Sequence, residues 1–265
     1  MVNALFVKRL AGRVALVTGV SRRAGIGFAI ARQFVTEGAD VFAQGWTPHD
    51  ATQPWGADEE TPSALHALGD RVQYVEADFA DPDTPHAVVS AARGEFGHVD
   101  LLIVNHARSG RGRLAEVTAS ELDAFLHENV RASILLVKEF AAQHDERPGG
   151  RVVLMTSGQH LAPMAREVAY AISKGALHQA TKTLADELID RGITVNTVNP
   201  GPTDTGWDIS RRDPRHGMPL GRWGQPEDVA RLIAWLCSDE AGWITGQVID
   251  SEGGFRRATS VTDCT

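Results

Sequence analysis

The feature that most constrains the fold is the alternation of short apolar runs with amphipathic helical segments over 265 residues. Runs that are apolar at nearly every position are typical of strands buried on both faces, as in parallel sheets. The seven predicted strands are RVALVTG (13–19), DVFAQG (40–45), RVQYVEA (71–77), VDLLIVN (99–105), RVVLMTS (151–157), ITVNTVN (193–199) and QVIDSEG (247–253).

Helical patterns lie between most of these strands. They cover residues 25–38, 84–97, 120–145, 169–192 and 226–238. Strand–helix alternation implies parallel strands joined by right-handed crossovers that place helices on both faces. We therefore predict an α/β fold: a Rossmann-type, doubly wound, seven-stranded parallel sheet in a single domain, residues 1–265. The hydrophobic content of 43% suffices for a core of that size.

Charge and cysteine content exclude several classes of function. A net charge of −8 disfavours nucleic acid and anionic membrane surfaces as partners. The only cysteines, Cys237 and Cys264, form neither a disulfide framework nor a metal-ligand cluster, so we expect no metal. The N-terminal segment lacks a signal-peptide pattern, and no apolar run is long enough to cross a membrane. We expect a cytoplasmic protein without a membrane partner.

Two proline-rich stretches interrupt the alternation, at residues 46–62 and 200–226. Long irregular segments in compact domains are often functional. We expect the second stretch to contain a short substrate lid at about 205–220. The polar tail, residues 255–265, follows the last strand.

A tyrosine and a lysine form the candidate catalytic pair. Tyr170 and Lys174 stand four residues apart in AYAISKGAL and therefore share one helix face. A fixed positive charge stabilises a phenolate, so we expect Lys174 to lower the pKa of Tyr170. Ser157 ends a predicted strand, where its hydroxyl could orient a carbonyl oxygen for protonation. The same spacing also occurs on purely structural helices, so other motifs must support the assignment.

The turn TGVSRRAGIG joins the first predicted strand to the first predicted helix. Its glycines, Gly19, Gly25 and Gly27, stand where a tight turn and close backbone approach are needed. Backbone N–H groups at a helix N-terminus in this context bind the pyrophosphate of a dinucleotide. Gly27 also suits close packing of the helix on the sheet.

These motifs, in this order, resemble the short-chain dehydrogenase/reductase family, and the resemblance runs nearly end to end. The turn is similar to the family's TGxxxGxG with two residues inserted, including Arg22 or Arg23. DFAD places Asp78 at the family's adenine-contacting acidic position. VNHA resembles the family's NNAG: Asn105 and Ala107 are retained, His106 stands at the second Asn, and Arg108 replaces the glycine.

The resemblance also implies the catalytic residues. Asn129, in HENVRAS, is similar to the asparagine that holds a relay water, Ser157 to the substrate-orienting serine, and Tyr170 with Lys174 to the YxxxK pair. NPGPTDT (199–205) resembles the PGxxxT segment that fixes the nicotinamide carboxamide. PLGRWGQPEDVA and ITGQVIDSEGG resemble C-terminal signatures of the family, the first especially those of 3-oxoacyl-[acyl-carrier-protein] reductases.

The implied cofactor site comprises residues from the glycine turn, the ends of the predicted strands and the PGxxxT segment. The residues are Gly19, Ser21, Arg22, Arg23, Gly25, Ile26, Gly27, Gly45, Trp46, Asp78, Phe79, Asn105, His106, Ala107, Tyr170, Lys174, Pro200, Gly201, Thr203 and Thr205.

The end of the second strand distinguishes the two nicotinamide dinucleotides. An acidic residue there accepts the ribose 2′-OH of NAD, whereas a basic residue pairs with the 2′-phosphate of NADP. The acidic position falls on Gly45, and Arg22 and Arg23 lie in the adjacent turn. We therefore favour NADP(H) over NAD(H). The alternative is that both arginines are solvated surface charges.

The predicted reaction is hydride transfer between the nicotinamide and a small-molecule carbonyl or alcohol, with tyrosine as the general acid or base. Substrate contacts are expected from Gln159, His160 and Trp207, and from the wall at 108–113. The basic residues of the lid have two interpretations: they recognise an acidic substrate, or they are solvent-exposed charges of a polar loop.

Several functional alternatives remain open. They are a 3-oxoacyl reductase, a sugar, polyol or cyclic alcohol dehydrogenase, and a non-catalytic dinucleotide-binding sensor. The enoyl reductase branch of the family spaces its tyrosine and lysine more widely than this chain does. By analogy with the family we expect a homotetramer, or a dimer, formed through the long helices.

Overall fold

The sheet of the computed structural model, which describes residues 8–206, 213–214 and 217–257, contains seven parallel strands. Their order is β3-β2-β1-β4-β5-β6-β7. All seven predicted strands are confirmed. The strands are β1 (Val14–Thr18), β2 (Asp40–Gly45), β3 (Val72–Glu76), β4 (Leu101–Val104), β5 (Gly150–Met155), β6 (Ile193–Asn199) and β7 (Val248–Asp250).

Helices cover both faces of the sheet. They are α1 (Ile26–Thr36), α2 (Thr47–Ala51), α3 (Thr61–His66), α4 (Thr84–Phe96), α5 (Ala119–Phe125), α6 (Ala132–Gln143), α7 (Val168–Ile189) and α8 (Pro226–Cys237). Alternate residues of β1 belong to opposite cores, as the two-residue period of a strand requires. Val17 packs with α1 and α8, and Leu16 packs with α4 and α6. The Rossmann-type, doubly wound architecture is thereby confirmed.

Two segments differ in detail from the sequence-based prediction. The helix expected over 120–145 is divided: a π-helical turn, Leu126–Arg131, separates α5 from α6. The stretch 46–62 was expected to be irregular but contains α2 and the start of α3. Its Pro48 and Pro62 lie in the first turns of those helices, where a missing N–H breaks no intrahelical bond.

The strand order reverses at β1. The strands β2 and β3 are added on one side of β1, and the chain then crosses over to place β4 on its other side. In open α/β sheets, ligands bind at the carboxyl ends of the strands at such a point. The glycine turn after β1 and the segment VNHA after β4 meet there. Among the described residues, no helix is long and apolar enough to span a bilayer.

Candidate active site

A cavity of about 270 Å³ opens at this topological switch point. Most of the predicted cofactor residues line it. Those residues are Gly19, Ser21, Arg22, Gly25, Ile26, Trp46, Asp78, Phe79, Asn105, His106, Ala107, Tyr170 and Thr205. Sequence reasoning did not assign the remaining lining residues to the cofactor site; they are Gln44, His49, Asp50, Trp55, Ala77, Arg108, Ser109 and Glu128.

The glycine turn is held against the end of β4 by close backbone packing. A Cβ on Gly27 would lie 2.3 Å from the carbonyl oxygen of Gly19, so only glycine fits there. Asn105 donates from Nδ2 to the carbonyl oxygens of Thr18 at 3.1 Å and of Gly19 at 3.0 Å. Gly27 itself does not line the cavity, which supports its packing role.

Gln44 fixes the same turn from β2. Its Oε1 accepts a hydrogen bond from the Gly19 N–H at 3.1 Å, and its Nε2 donates to the Ala77 carbonyl at 2.7 Å. The side chain is buried, so these bonds satisfy its amide and tie three neighbouring chain segments together. The sequence signal for this role is a single amide, Gln44, after the apolar run Val41–Ala43 of β2.

His106 is a nearly buried residue of the cavity wall. Its Nδ1 lies 2.9 Å from Thr18 Oγ1, and its Nε2 lies 3.0 Å from the carbonyl oxygen of Glu128. A carbonyl oxygen only accepts, so Nε2 carries the proton and Nδ1 accepts from the Thr18 hydroxyl. Burial, with the charge of Lys174, lowers the pKa of His106 to about 3, which keeps the imidazole neutral.

Arg22 projects into the cavity from the inserted part of the turn. Its Nη1 donates to the Thr205 carbonyl at 2.8 Å, and its Nε lies 3.5 Å from Asp50 Oδ1. The indole of Trp55 lies under the guanidinium at 5.1 Å and donates its N–H to Asp50 at 2.7 Å. Burial lowers the pKa of Arg22 and opposes the attraction of Asp50, although an arginine stays charged.

Arg23 points away from the cavity. It donates from its backbone N–H at 3.0 Å and from Nε at 2.9 Å to Asp58 Oδ2, and it pairs with Glu60 on the surface. The alternative of a surface charge therefore describes Arg23 but not Arg22. Gly45 is covered as well: a Cβ there would lie 2.5 Å from the Tyr74 hydroxyl.

Tyr170 lies at the base of the cavity, near the start of α7. Its hydroxyl faces the side chain of Ser157, which follows β5, and this interaction lowers the pKa of Tyr170. The ring of Phe125 packs edge-on against it, with centroids 6.4 Å apart. Burial raises the pKa of Tyr170 to about 12, and the interaction with Ser157 only partly opposes that rise. Lys174 was expected to lower the pKa of Tyr170. That prediction is wrong for the protein groups alone, because the pKa is raised.

Lys174 is buried one turn further along α7. Its Nζ lies 5.8 Å from the centre of the Tyr170 ring and donates to the Met155 carbonyl at 3.0 Å. Burial lowers the pKa of this ammonium group from 10.5 to about 8. An ammonium this poorly solvated is a candidate donor to a bound ligand, because its other two N–H groups need partners.

Asn129 lies in the π-helical turn, and its amide is fully used. Oδ1 accepts from the Arg108 N–H at 2.6 Å, while Nδ2 donates to the Arg108 carbonyl and to Ser173 Oγ, each at 2.9 Å. Within the described part of the chain, no hydrogen bond joins it to Lys174. Asn129 thus fixes the segment after β4. This structural role differs from the water-holding role that the family resemblance implies.

The PGxxxT segment contributes Thr205 to the cavity. Thr203 Oγ1 instead donates to the Pro200 carbonyl at 3.1 Å, and both residues line a second, smaller cavity. Gly201 donates its N–H to Asn199 Oδ1 at 3.1 Å. These three residues shape the loop that presents Thr205.

The residues predicted to contact substrate are less well placed. Gln159 donates to Thr156 Oγ1 at 3.0 Å, and His160 lies 3.1 Å from Asp250. Neither lines the main cavity. Trp207 and the basic residues of the lid, at 211, 212, 215 and 216, lie outside the described residues.

The residues present suit a nicotinamide dinucleotide. The glycine turn is packed too closely to carry a side chain at Gly27, and the cavity continues from this turn to Tyr170. A tyrosine at the end of such a cavity, with a serine and a buried lysine behind it, is the residue set expected of nicotinamide-dependent oxidoreductases.

Comparison with known proteins assigns the family within that class. A family model described as enoyl-(acyl carrier protein) reductase matches residues 19–256. An oxidoreductase of Bacillus subtilis, YjdA, described as uncharacterized, is 40% identical over 92% of this chain and 97% of its own length. The 3-oxoacyl-[acyl-carrier-protein] reductase FabG of Vibrio cholerae is 32% identical over 93% of this chain and 98% of its own.

A solved structure agrees. A short-chain dehydrogenase from Burkholderia cenocepacia in complex with NADP superimposes with a TM-score of 0.82 at 35% identity, covering 93% of this chain and 98% of the other. The chain belongs to the short-chain dehydrogenase/reductase family and is an oxidoreductase.

Proposed function

We propose that this protein reduces a small-molecule carbonyl to an alcohol with NADP(H), and that Tyr170 is the proton donor. The observation that carries the proposal is the position of Tyr170: its hydroxyl interacts with the side chain of Ser157, and the residue lines the same cavity as the glycine turn. A carbonyl oxygen held between the two hydroxyls accepts a proton from Tyr170. The nicotinamide, when bound, supplies the hydride to the carbonyl carbon.

The raised pKa of Tyr170 sets the protonation state of the free site. A phenol whose pKa is raised to about 12 is protonated at neutral pH and therefore carries the proton that a carbonyl oxygen needs. The phenolate left after donation is disfavoured by the protein groups alone and needs a stabilising positive charge. Lys174, with free donor capacity beside the tyrosine, is proposed to bind the nicotinamide ribose and to stabilise the phenolate formed after donation.

We favour 3-oxoacyl thioesters as the substrate class. The support is the similarity to the Vibrio cholerae reductase and the Tyr-x-x-x-Lys spacing of carbonyl-reducing members, which the enoyl reductase branch does not share. The preference for NADP(H) is supported by Arg22 in the cavity, by the absence of a side chain at Gly45 and by the NADP complex of the similar structure.

The test is turnover with NADPH against a panel of 3-oxoacyl thioesters, sugar ketones and cyclic ketones, using wild type and Tyr170→Phe. The variant should bind NADPH as the wild type does and lose about 10² to 10⁴-fold in turnover, the usual worth of general acid catalysis. Retained turnover in the variant contradicts the role of Tyr170. Absence of turnover with every ketone supports the sensor alternative instead.

We further propose assembly into a homotetramer. Ile172 on α7 and Trp243 before β7 are large apolar side chains that this chain leaves half and fully exposed, respectively. Burial of such side chains stabilises oligomers. Light scattering on the purified protein measures the oligomeric state, and a monomer at micromolar concentration contradicts the proposal.

A further inference from the structure

A closed network of polar contacts begins and ends at the loop that carries Ser157. It starts at the Ser157 carbonyl oxygen, which lies 3.2 Å from Nδ1 of His160. Nε2 of the same imidazole lies 3.1 Å from Asp250 Oδ1, at the end of β7. His160 therefore joins the loop after β5 to the last strand, although it does not line the main cavity.

The network continues through the end of β6 and the C-terminal segment. Asn199 is buried, and its Nδ2 donates to Asp250 Oδ1 and to Glu252 Oε1, each at 2.8 Å. Glu252 in turn accepts from Arg257 Nη1 at 2.7 Å. Nη2 of Arg257 occupies the space that a Cβ on Gly158 would need. The contacts thus return to the loop after β5, one residue beyond the point where they start.

The two partners of His160 determine the charge that it must carry. A carbonyl oxygen and a carboxylate only accept hydrogen bonds, so the bond to Ser157 needs a proton on Nδ1 and the bond to Asp250 needs one on Nε2. A neutral imidazole has one of these protons and turns a lone pair toward the other oxygen. Only the imidazolium form makes both bonds together. The side chain keeps 22% of its surface exposed, so it exchanges protons directly with solvent.

The charges that face His160 come from β7, α7 and the C-terminal segment. Asp250 of β7 favours a positive charge on the imidazole, and His178 of α7 packs edge-on against it with ring centroids 4.5 Å apart. Burial lowers the pKa of His178, and the charges of His160 and Lys182 add to that effect. His178 is therefore neutral at neutral pH. The buried glutamate of the C-terminal segment is already paired with its arginine.

We infer that His160 is a positioning residue: as an imidazolium held by Asp250, it fixes the loop that carries Ser157, and loss of its proton releases that loop. The inference rests on the proposed role of Ser157 in holding the carbonyl oxygen. His160 then acts behind the serine rather than on the substrate, and the position of the serine depends on pH.

The first experiment counts the protons on the imidazole, without cofactor or substrate. Long-range ¹H–¹⁵N correlation spectra distinguish an imidazole with two N–H groups from one with a single N–H, and His160→Gln identifies the signals of His160. In Asp250→Asn, the new amide still accepts from Asn199 and can donate to Nε2, so a neutral imidazole suffices there. Glu139→Gln is the matched control, because it removes a carboxylate that pairs with the exposed His86.

We expect His160 to keep both protons to a higher pH in the wild type and in Glu139→Gln than in Asp250→Asn. The backbone amide signal of Gly158 should shift together with this titration in the wild type. Equal titration of His160 in the wild type and in Asp250→Asn overturns the inference. A Gly158 signal that does not follow the titration overturns it as well.

The second experiment separates kcat from the dissociation constant of NADPH. His160→Phe keeps an aromatic side chain but removes both nitrogens, so it should lower kcat about 10-fold, as for loss of a hydrogen bond to a charged group, and leave NADPH binding within twofold. His160→Gln, which returns one donor, should recover part of the loss. Unchanged kcat in His160→Phe overturns the inference. If the wild type reduces no ketone, the proposed function fails, and the spectra still decide the inference.

Discussion

Thr18 Oγ1 and His106 Nδ1 lie 2.9 Å apart, and this hydrogen bond joins the end of β1 to the segment after β4. The same hydroxyl accepts from the backbone N–H groups of Asn105 at 3.0 Å and His106 at 3.2 Å. Nδ1 accepts from Thr18 only while the imidazole is neutral, and the carbonyl oxygen of Ile103, at 3.2 Å, is the other acceptor within reach of the single hydroxyl proton. The hydrogen bonding of the cavity wall therefore changes with the protonation state of one buried side chain.

His106 is expected to make the protein sensitive to acid. Its pKa of about 3 in the folded chain lies below the ordinary value of 6.5, so the unfolded state binds the proton first as the pH falls. Stability is therefore lost from about pH 6.5 downward, by about 2 kcal/mol between pH 6.5 and 5. His106→Asn, which cannot titrate, should flatten this slope in urea denaturation curves.

The quantity to compare is the slope of unfolding free energy against pH, because the His106→Asn substitution also changes packing and so shifts the free energy at every pH. His66→Asn, on the exposed surface, should leave the slope as in the wild type. An identical pH dependence in His106→Asn and wild type would show that other groups cause the acid lability.

The fold was predictable because each strand is marked locally. All five residues of β1 are buried, and such runs carry their own signature whatever surrounds them. The π-helical turn was not predictable, since LHENVR contains no glycine or proline and reads as continuous helix. Its cause is tertiary: Asn129 bonds the backbone of Arg108, in another segment.

The residues of the site also divide into those that the sequence predicts and those that depend on the tertiary fold. Ser157 and Tyr170 were found from spacing and family resemblance, and the structure brings them together. The pair of Arg22 and Asp50 was not found, because the two residues meet only when the turn after β1 lies against α2. The rise in the pKa of Tyr170 could not be predicted from the spacing for a related reason: it comes from burial, which is a property of the whole fold.

Asp50→Asn is expected to raise the preference for NADPH over NADH. The carboxylate lines the cavity beside Arg22, so it repels a 2′-phosphate and offers an acceptor to a ribose hydroxyl. Removing its charge should shift the ratio of the two dissociation constants about 3- to 10-fold toward NADPH. Fluorescence titration of both cofactors measures the ratio. Asp58→Asn, which removes a partner of Arg23 outside the cavity, should leave it unchanged.

Lys174→Met is expected to stabilise the protein while it abolishes activity. Burial lowers the pKa of Lys174 to about 8, so the folded state holds this charge less well than the unfolded state does. Wild-type stability therefore rises as the pH goes from about 8 to 10.5, where the unfolded chain is still protonated. At pH 7 the variant should gain about 1 to 2 kcal/mol, since loss of the bond to Met155 offsets part of the effect.

Chemical denaturation at pH 7 and pH 10, without cofactor, checks this expectation. Lys182→Met is the control, because Lys182 is exposed on the same helix. A variant that is less stable than wild type by the same amount at both pH values would mean that Lys174 contributes packing alone.

Gly45→Ala is expected to be costly although alanine is the smallest possible addition. The new Cβ would lie 2.5 Å from the Tyr74 hydroxyl and 2.9 Å from the Val20 carbonyl oxygen. Overpacking of this kind costs about 1 to 3 kcal/mol of unfolding free energy.

Tyr74→Phe in the same chain should recover part of that loss, because it removes the nearer atom, and a double-mutant cycle measures the coupling. Gly94→Ala, with no atom within 4 Å of its Cβ on α4, should instead stabilise slightly. If Gly45→Ala and Gly94→Ala changed the free energy of unfolding equally, backbone propensity rather than the contact with Tyr74 would determine which residue is tolerated at position 45.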